Sequence, residues 1–390
     1  MTRLDPGPDS YRIGTLAVHA GPEPDPVAGA VMPPIYQTST YIQDGLGTPH
    51  NGYEYARTSN PTRQALERAL AALEGGTHGF AFASGLAALD TVLKLLRSGD
   101  HVVSGENLYG GSHRQMVRIY EEFGVKFDFV DFRDPEAVRA AIRPETRMIY
   151  AETPTNPMMF LADLQAIGDI AQARGVLFVV DNTFATPVLQ RPLEMGADIV
   201  LHSTTKYLNG HSDMIGGALI TRRDDLAERL GFLQNAAGGV PGPFDSWLVL
   251  RGLKTLPLRM KQHCQSAARI AAWLAARSDI PMVYFPGLPN HPQHALAKRQ
   301  MSDFGGMVSL ELGSVARMER VVKRIRLFAL AESLGGVESL LGHPASMTHA
   351  SVPKDMRDRM GLTDSLIRLS VGIEDVEDLL ADLEQALEAK

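Results

Sequence analysis

Cysteine is all but missing: the 390 residues contain one, Cys264. A lone thiol forms no intrachain disulfide, so the fold must hold by packing, as suits a reducing compartment. Basic excess is missing too. Lys and Arg number 38 against 45 Asp and Glu, a formal net charge of −7, which excludes the sequence-independent nucleic-acid binding that a basic surface provides. No window approaches the roughly 18 consecutive apolar residues of a spanning helix, and MTRLDPGPDSYR lacks the apolar stretch of a secretory signal. These absences predict a cytoplasmic protein with neither a membrane nor a nucleic acid as partner. The nucleotide fingerprints G-x-x-x-x-G-K-[ST] and G-x-G-x-x-G do not occur, nor does H-E-x-x-H. His291 and His294 in HPQH flank a proline turn, so no metal centre is expected.

What remains is a globular composition, 44% hydrophobic and 21% charged, in a chain long enough for a large domain and a smaller one. Residues 1–56 are rich in Pro and Gly, with little helical periodicity. An arm of that kind buries no core by itself and is expected to lie on the body or on a neighbouring subunit. From Pro61 the pattern changes: TRQALERALAALEGG spaces Leu66, Leu70 and Leu73 helically and stops at Gly75-Gly76. Strand-like and helical stretches then alternate, with strands at 79–84, 101–105, 126–132, 148–152, 176–181 and 198–204. Short apolar runs separated by helices predict an α/β domain over 57–255 with a mostly parallel central sheet and helices on both faces. After about residue 255 the rhythm breaks. Residues 256–390 read as a second, α+β domain with strands at 305–312 and 366–371 and an acidic final helix.

In a parallel sheet, ligands collect beyond the carboxyl ends of the strands. The polar residues gather there: Ser84-Gly85, Glu106 to Tyr109, Glu152 to Asn156, Asp181-Asn182 and Ser203 to Lys206. Lys206 follows Ser203-Thr204-Thr205. By residue type alone it reads as a surface lysine, but an amine that loses its proton is also the nucleophile for a Schiff base with an aldehyde. Ser203 and Thr205 flank Thr204, so their hydroxyls share a direction. Ser84-Gly85-Leu86 opens a helix where backbone N–H groups can meet an anion. Two anion cradles and a lysine point to pyridoxal 5'-phosphate. That cofactor needs an acid on its ring nitrogen, and Asp181 ends the apolar run VLFVVD, although it equally suits an Asp capping the next turn. Tyr109 could stack on the ring or be a half-buried core tyrosine. Arg368, between Ile367 and Leu369 in a strand, suits a substrate carboxylate. Asn156 in ETPTNP offers a second donor or belongs to an ordinary loop. Ser203 and Lys206 also satisfy S-x-x-K, but the S-D-N and K-T-G elements of that hydrolase class are absent.

With these residues assembled, the chain resembles the Cys/Met-metabolism family of pyridoxal-phosphate enzymes, on its cystathionine γ-lyase and γ-synthase branch. The resemblance is carried by YEYARTSNPTR (53–63), FASGLAA (82–88), LYGGS (108–112), ETPTNP (152–157), VVDNTF (179–184), STTKYLNGHSD (203–213), LPNHPQHALAKRQ (288–300), LAESLGGVESL (330–340), MTHAS (347–351) and LIRLSVGIED (366–375). It implies the fold type I architecture of pyridoxal-phosphate-dependent transferases and a homotetramer, a dimer of dimers with shared active sites. Lys206 resembles the Schiff-base lysine, Asp181 the ring-nitrogen partner and Tyr109 the stacking tyrosine. Ser203, Thr205, Gly85 and Leu86 resemble the phosphate cradle. Tyr55 and Arg57 resemble a phosphate-binding pair contributed by the neighbouring subunit. Asn156, Ser333, Thr348 and Arg368 resemble the groups around the substrate's amino-acid end. Glu54 and Glu332 suit the distal ammonium of cystathionine, or are ordinary exposed glutamates. Glu332 is the γ-enzyme residue where β-lyases tend to carry an aromatic one, and Gly111 stands where methionine γ-lyases carry cysteine. The implied activity is γ-elimination of cystathionine. The alternatives are γ-replacement on an O-acylhomoserine, or a silent cofactor-binding protein.

Overall fold

The computed structural model describes residues 11–349, 354, 357 and 361–388. The first ten residues of the arm and Ala350-Ser351 of MTHAS lie outside that set. Asn60 opens the first long helix, Pro61–Glu74. Its side chain accepts from the backbone N–H groups of Thr62 and Arg63, and Gly75 closes the helix in the left-handed conformation at φ 70°. Leu66, Leu70 and Leu73 are buried; each contributes about 2 kcal/mol by leaving water. The arm departs from expectation in one place. Ile13–His19 forms a helix with Leu16 and Ala17 buried, and Lys254 Nζ donates to the carbonyl of Val18 at 2.6 Å.

Seven strands make the large sheet, in the order His78–Phe82, Gly217–Thr221, Ile199–Ser203, Leu177–Asp181, Thr146–Glu152, His101–Gly105 and Lys126–Val130. Five run parallel to their neighbours, and Gly217–Thr221 is antiparallel to both strands it joins. The sequence pattern does not announce this strand, because a three-residue apolar run behind two glycines has neither the length nor the alternation of its neighbours. Alternation in the others fills two cores: Val103, Ile149, Val180 and Val200 face one way, and Val102, Met148, Val179 and Ile199 the other.

The second sheet has five strands, in the order Met282–Tyr284, Met307–Glu311, Leu366–Ser370, Leu340–Gly342 and Ala329–Leu330. Three of them are only two or three residues long, below what a sequence pattern can reveal. Helix Leu256–Ala275 links the two bodies. Its first half places Leu256, Met260 and Cys264 in the large core. Its second half places Ala267, Ile270 and Leu274 in the small one. Two helices differ from expectation: the one at Gly85 ends by Leu93, and the one at Gly110 widens into a π-turn over Met116–Tyr120.

Close approach between the first helix and the sheet depends on Gly79, where a Cβ would lie 2.2 Å from the Glu67 carbonyl oxygen. Backbone cannot rotate away as a side-chain tip can. Gly79→Ala is therefore expected to lower stability by about 2 kcal/mol, read as a lower urea midpoint with an unchanged slope.

Candidate active site

Where the parallel strands end, their last residues stand side by side. Glu152 and Asp181 are register partners on neighbouring strands, and Asp181 pairs with Leu201 on the next. Asp181 Oδ1 accepts from the Thr183 backbone N–H at 3.0 Å and from its hydroxyl at 2.5 Å, so the residue does cap the following turn. Its second oxygen meets only the Tyr150 hydroxyl, at 3.3 Å. Burial pushes the Asp181 carboxyl up, and the Thr183 bonds oppose that shift. A carboxyl so placed has one face free for a cationic donor.

Lys206 follows the strand Ile199–Ser203, and its Nζ donates to Ser333 Oγ at 2.7 Å. Burial, then the nearby Arg368 charge, brings its amine down to about 8, against a smaller upward pull from Glu332. Lysine at that value is partly neutral near physiological pH, as a nucleophile or base must be.

Arg368 sits mid-strand in the small sheet. Its Nη1 donates to Asn156 Oδ1 at 2.8 Å and its Nη2 to the Ser333 carbonyl at 2.8 Å, while Nε is buried without a partner among the described residues. Its register partner on the neighbouring strand Leu340–Gly342 is Gly342. Ser333 holds its place at φ 89°, an unusual conformation for a residue with a Cβ. The structure thus brings Lys206, Ser333, Arg368 and Asn156 into one bonded group.

The cradle expected at Gly85 is tight. A Cβ on Gly85 would lie 3.1 Å from Ser203 Cβ, and one on Gly217 would lie 2.2 Å from the Ser84 carbonyl oxygen. The antiparallel strand therefore walls the start of helix Gly85–Leu93, whose first N–H groups, at Gly85 and Leu86, lack intrahelical partners. Ser84 caps the helix through Ala87 N. Ser203 and Thr205 are both half-buried while Thr204 is buried, as the alternation predicted. The Thr205 hydroxyl, however, is engaged with the N–H and carbonyl of Gly216. Tyr109 precedes the helix Gly110–Gln115, with its backbone N–H on Glu152 at 2.9 Å. Its exposed ring leans over Gly111, where a Cβ would meet it at 2.4 Å.

Other expected residues stand apart. Arg57 lies over the Tyr55 ring at 5.2 Å and bonds Asn235 Oδ1 at 3.3 Å. Glu54 is exposed in the arm. Nothing among the described residues bonds these three to Lys206 or Asp181 within one chain. Thr348 bonds the neighbouring His349 ring at 2.9 Å, and Glu332 is exposed at the rim. Among the described residues no group of His, Cys, Asp or Glu could hold a metal, and no helix is long and apolar enough to cross a membrane.

Residues 14–388 match the model of the family described as Cys/Met metabolism PLP-dependent enzyme. A cystathionine β-lyase of Coxiella burnetii is 55% identical over 378 residues, 96% of this chain and 97% of its own. A cystathionine γ-lyase of Bacillus subtilis is 53% identical, covering 96% and 98%. A cystathionine γ-synthase of Mycobacterium bovis is also 53% identical, covering 96% of each. A crystal structure of cystathionine γ-lyase from Lactobacillus plantarum complexed with L-serine superposes with a TM-score of 0.94 at 47% identity, covering 96% of this chain and 98% of that one. The half-free carboxyl of Asp181, the lowered amine of Lys206 and the tight cradle at Gly85 fit pyridoxal phosphate.

The sequence reading gave Glu152 no role, although it ends a strand beside Asp181. Its carboxyl is pushed up from 4.5 to about 8, first by burial and then by the Asp181 charge. A raised folded-state value means that folding takes up protons above the unfolded value. The stabilisation is complete below about pH 4.5 and is lost as pH rises to about 8. Glu152→Gln should flatten that decline in cofactor-free protein, checked by urea midpoints measured from about pH 5 to about 8.

Proposed function

Because the chain belongs to the Cys/Met-metabolism family of pyridoxal-phosphate-dependent enzymes, with their fold type I architecture, we propose that it cleaves L-cystathionine by γ-elimination. With water consumed, the Cγ–S bond breaks, giving L-cysteine, 2-oxobutanoate and ammonia. The observation that carries this reading is the bonded group of Lys206, Ser333, Arg368 and Asn156, with Glu332 one residue from Ser333. Arg368, kept in place by neutral acceptors, retains its positive charge for the substrate α-carboxylate. That contact sets the α-carbon near Lys206, whose partly neutral amine takes the α-proton. Ser333 steadies Nζ between transfers. Bound pyridoxal phosphate supplies the aldehyde for the substrate amine and a ring that withdraws electrons. With the cofactor bound, Asp181 would keep its ring nitrogen protonated, and Tyr109 would pack against the ring and supply a proton to the departing sulfur. Gly85, Leu86, Ser203 and Thr205 hold the phosphate, with the Thr205 hydroxyl turning from Gly216 or acting through it. Thr348 closes the side of the site near Arg368.

Glu332 supports a γ-reaction because a carboxylate at the rim suits the distal ammonium of cystathionine. The β-lyase relative at 55% identity supports a second reading, β-elimination to homocysteine and pyruvate. The γ-synthase relative supports replacement on an O-acylhomoserine. Release of hydrogen sulfide from cysteine would use the same residues.

The arm supplies the rest of the proposal. Ile42 and Leu46 are 85% and 106% exposed, too apolar for a face left in water. We take residues 1–56 as an arm that lies on a neighbouring subunit and delivers Glu54, Tyr55 and Arg57 to its site, within a tetramer of two such dimers. Residues 57–255 then form the cofactor domain and 256–390 the second domain.

Product analysis with cystathionine is expected to give cysteine and 2-oxobutanoate. Homocysteine with pyruvate would replace this reading by the β-reaction. Lys206→Ala should lower turnover at least about a thousandfold. Mixing Lys206→Ala with Arg57→Ala subunits should restore part of the activity that each lacks. No restoration after subunit exchange would rule out the shared site.

A further inference from the structure

Beneath the cleft runs a row of buried polar side chains that the proposed reaction does not use. Gln300, in the second domain, donates through Nε2 to Gln190 Oε1 at 2.8 Å. Gln190 Nε2 donates to Asn182 Oδ1 at 3.0 Å, and Asn182 Nδ2 to Glu74 Oε1 at 2.8 Å. From the other side His202 Nε2 reaches the same Glu74 oxygen at 2.5 Å. All five residues are buried. His202 is the ion-pair partner of Glu74 among the described residues.

The row has a direction. A carboxylate only accepts, so Asn182 must turn its NH2 toward Glu74 and its oxygen toward Gln190, which must then do the same toward Gln300. Its end is also placed with purpose. Asn182 follows Asp181 and His202 precedes Ser203, so one carboxylate oxygen ties together the ends of two strands. Gln190 and Gln300 extend the tie to a third strand end through the carbonyls of Thr153 and Ala162.

We propose that Glu74 is a positioning residue for the cofactor: its carboxylate orients this row and, through Asn182 and His202, fixes Asp181 and Ser203 at the spacing that one bound pyridoxal phosphate needs. The inference rests on the reading of Asp181 and Ser203 as cofactor ligands. A residue that merely filled space there could be apolar, and it would affect folding without affecting how the cofactor is seated.

Two variants separate these cases. Glu74→Gln keeps an acceptor oxygen; Glu74→Leu keeps most of the volume and strands the Asn182 and His202 donors. The readouts are the dissociation constant for pyridoxal phosphate by equilibrium dialysis, the visible circular dichroism of the bound cofactor, and the urea midpoint of the cofactor-free protein. Glu74→Leu is expected to weaken cofactor binding about tenfold or more and to change the dichroism, because unpartnered buried donors are costly. Glu74→Gln should stay within about threefold of the parent. A Leu variant with a lowered midpoint but parental affinity and dichroism would overturn the proposal, as would a Gln variant as impaired as Leu. Should Glu74→Leu not fold, Gln190→Met breaks the row further out and should still weaken binding; parental affinity there counts against the proposal. Asp181→Asn, measured alongside, tests the underlying reading. Parental affinity in Asp181→Asn removes that reading, whereas loss there with none in Glu74→Leu removes only the role of Glu74.

Discussion

A buried guanidinium that no carboxylate among the described residues bonds is the constraint around which this site is arranged. Arg368 lies in the middle strand of the small sheet, bonded to an amide oxygen and a backbone carbonyl, with one nitrogen unpartnered among the described residues. Burial of a cation is unfavourable, and here it brings the guanidinium down to about 10. The charge that remains acts on its neighbours. It helps lower the Lys206 amine, and with burial it lowers the His349 ring to about 4. It also demands the loop that presents Asn156, and the Ser333 backbone in a conformation few residues adopt. The seven-stranded and five-stranded sheets are tied to each other by the same contacts that prepare the site for an acid.

Much of this was legible in the sequence. Strand ends could be located because apolar runs of five to seven residues stop at polar clusters, so Asp181, Lys206 and the Ser84-Gly85 cradle were found from chain order alone. The capping reading of Asp181 holds, since its Oδ1 takes the Thr183 bonds, and it leaves the other oxygen for the proposed contact with a ring nitrogen. Less legible was anything that depends on two distant segments meeting. The antiparallel strand Gly217–Thr221 carries no strand signal of its own, yet it walls the cradle. The bond between Lys206 and Ser333 spans 127 positions, and no local pattern announces it. Glu152 was visible as a polar strand end, but its upward shift arises only when the sheet sets it beside Asp181. The helix at Ile13–His19 was hidden because seven residues among prolines and glycines carry too short a period to register.

The polar row from Gln300 to Glu74 shows why the stretch LPNHPQHALAKRQ holds the residues it does. Gln293 bonds the backbone of Leu161 in both directions, and Gln300 does the same at Ala162 and Leu164. Both clamp the segment behind Asn156. The helix His294–Gln300, whose Ala297 lies in the large core, thereby sets the position of the loop that steadies Arg368 in the small sheet. A shift of the small sheet therefore strains bonds in the large body.

Consider last the contrast between the floor of the cleft and its rim. On the floor each side chain is committed to another: Arg368 to Asn156, Asp181 to Thr183, and Lys206 to Ser333. A substitution there disturbs several partners at once. Glu332, Tyr109 and Glu54 stand at the exposed margin or in the arm, with few obligations to the fold. Changes of chemistry can accumulate on such a margin without threatening the architecture. Enzymes built this way are free to diverge in the bond they break while their interiors stay alike, and overall identity is then a poor guide to which reaction a given chain performs.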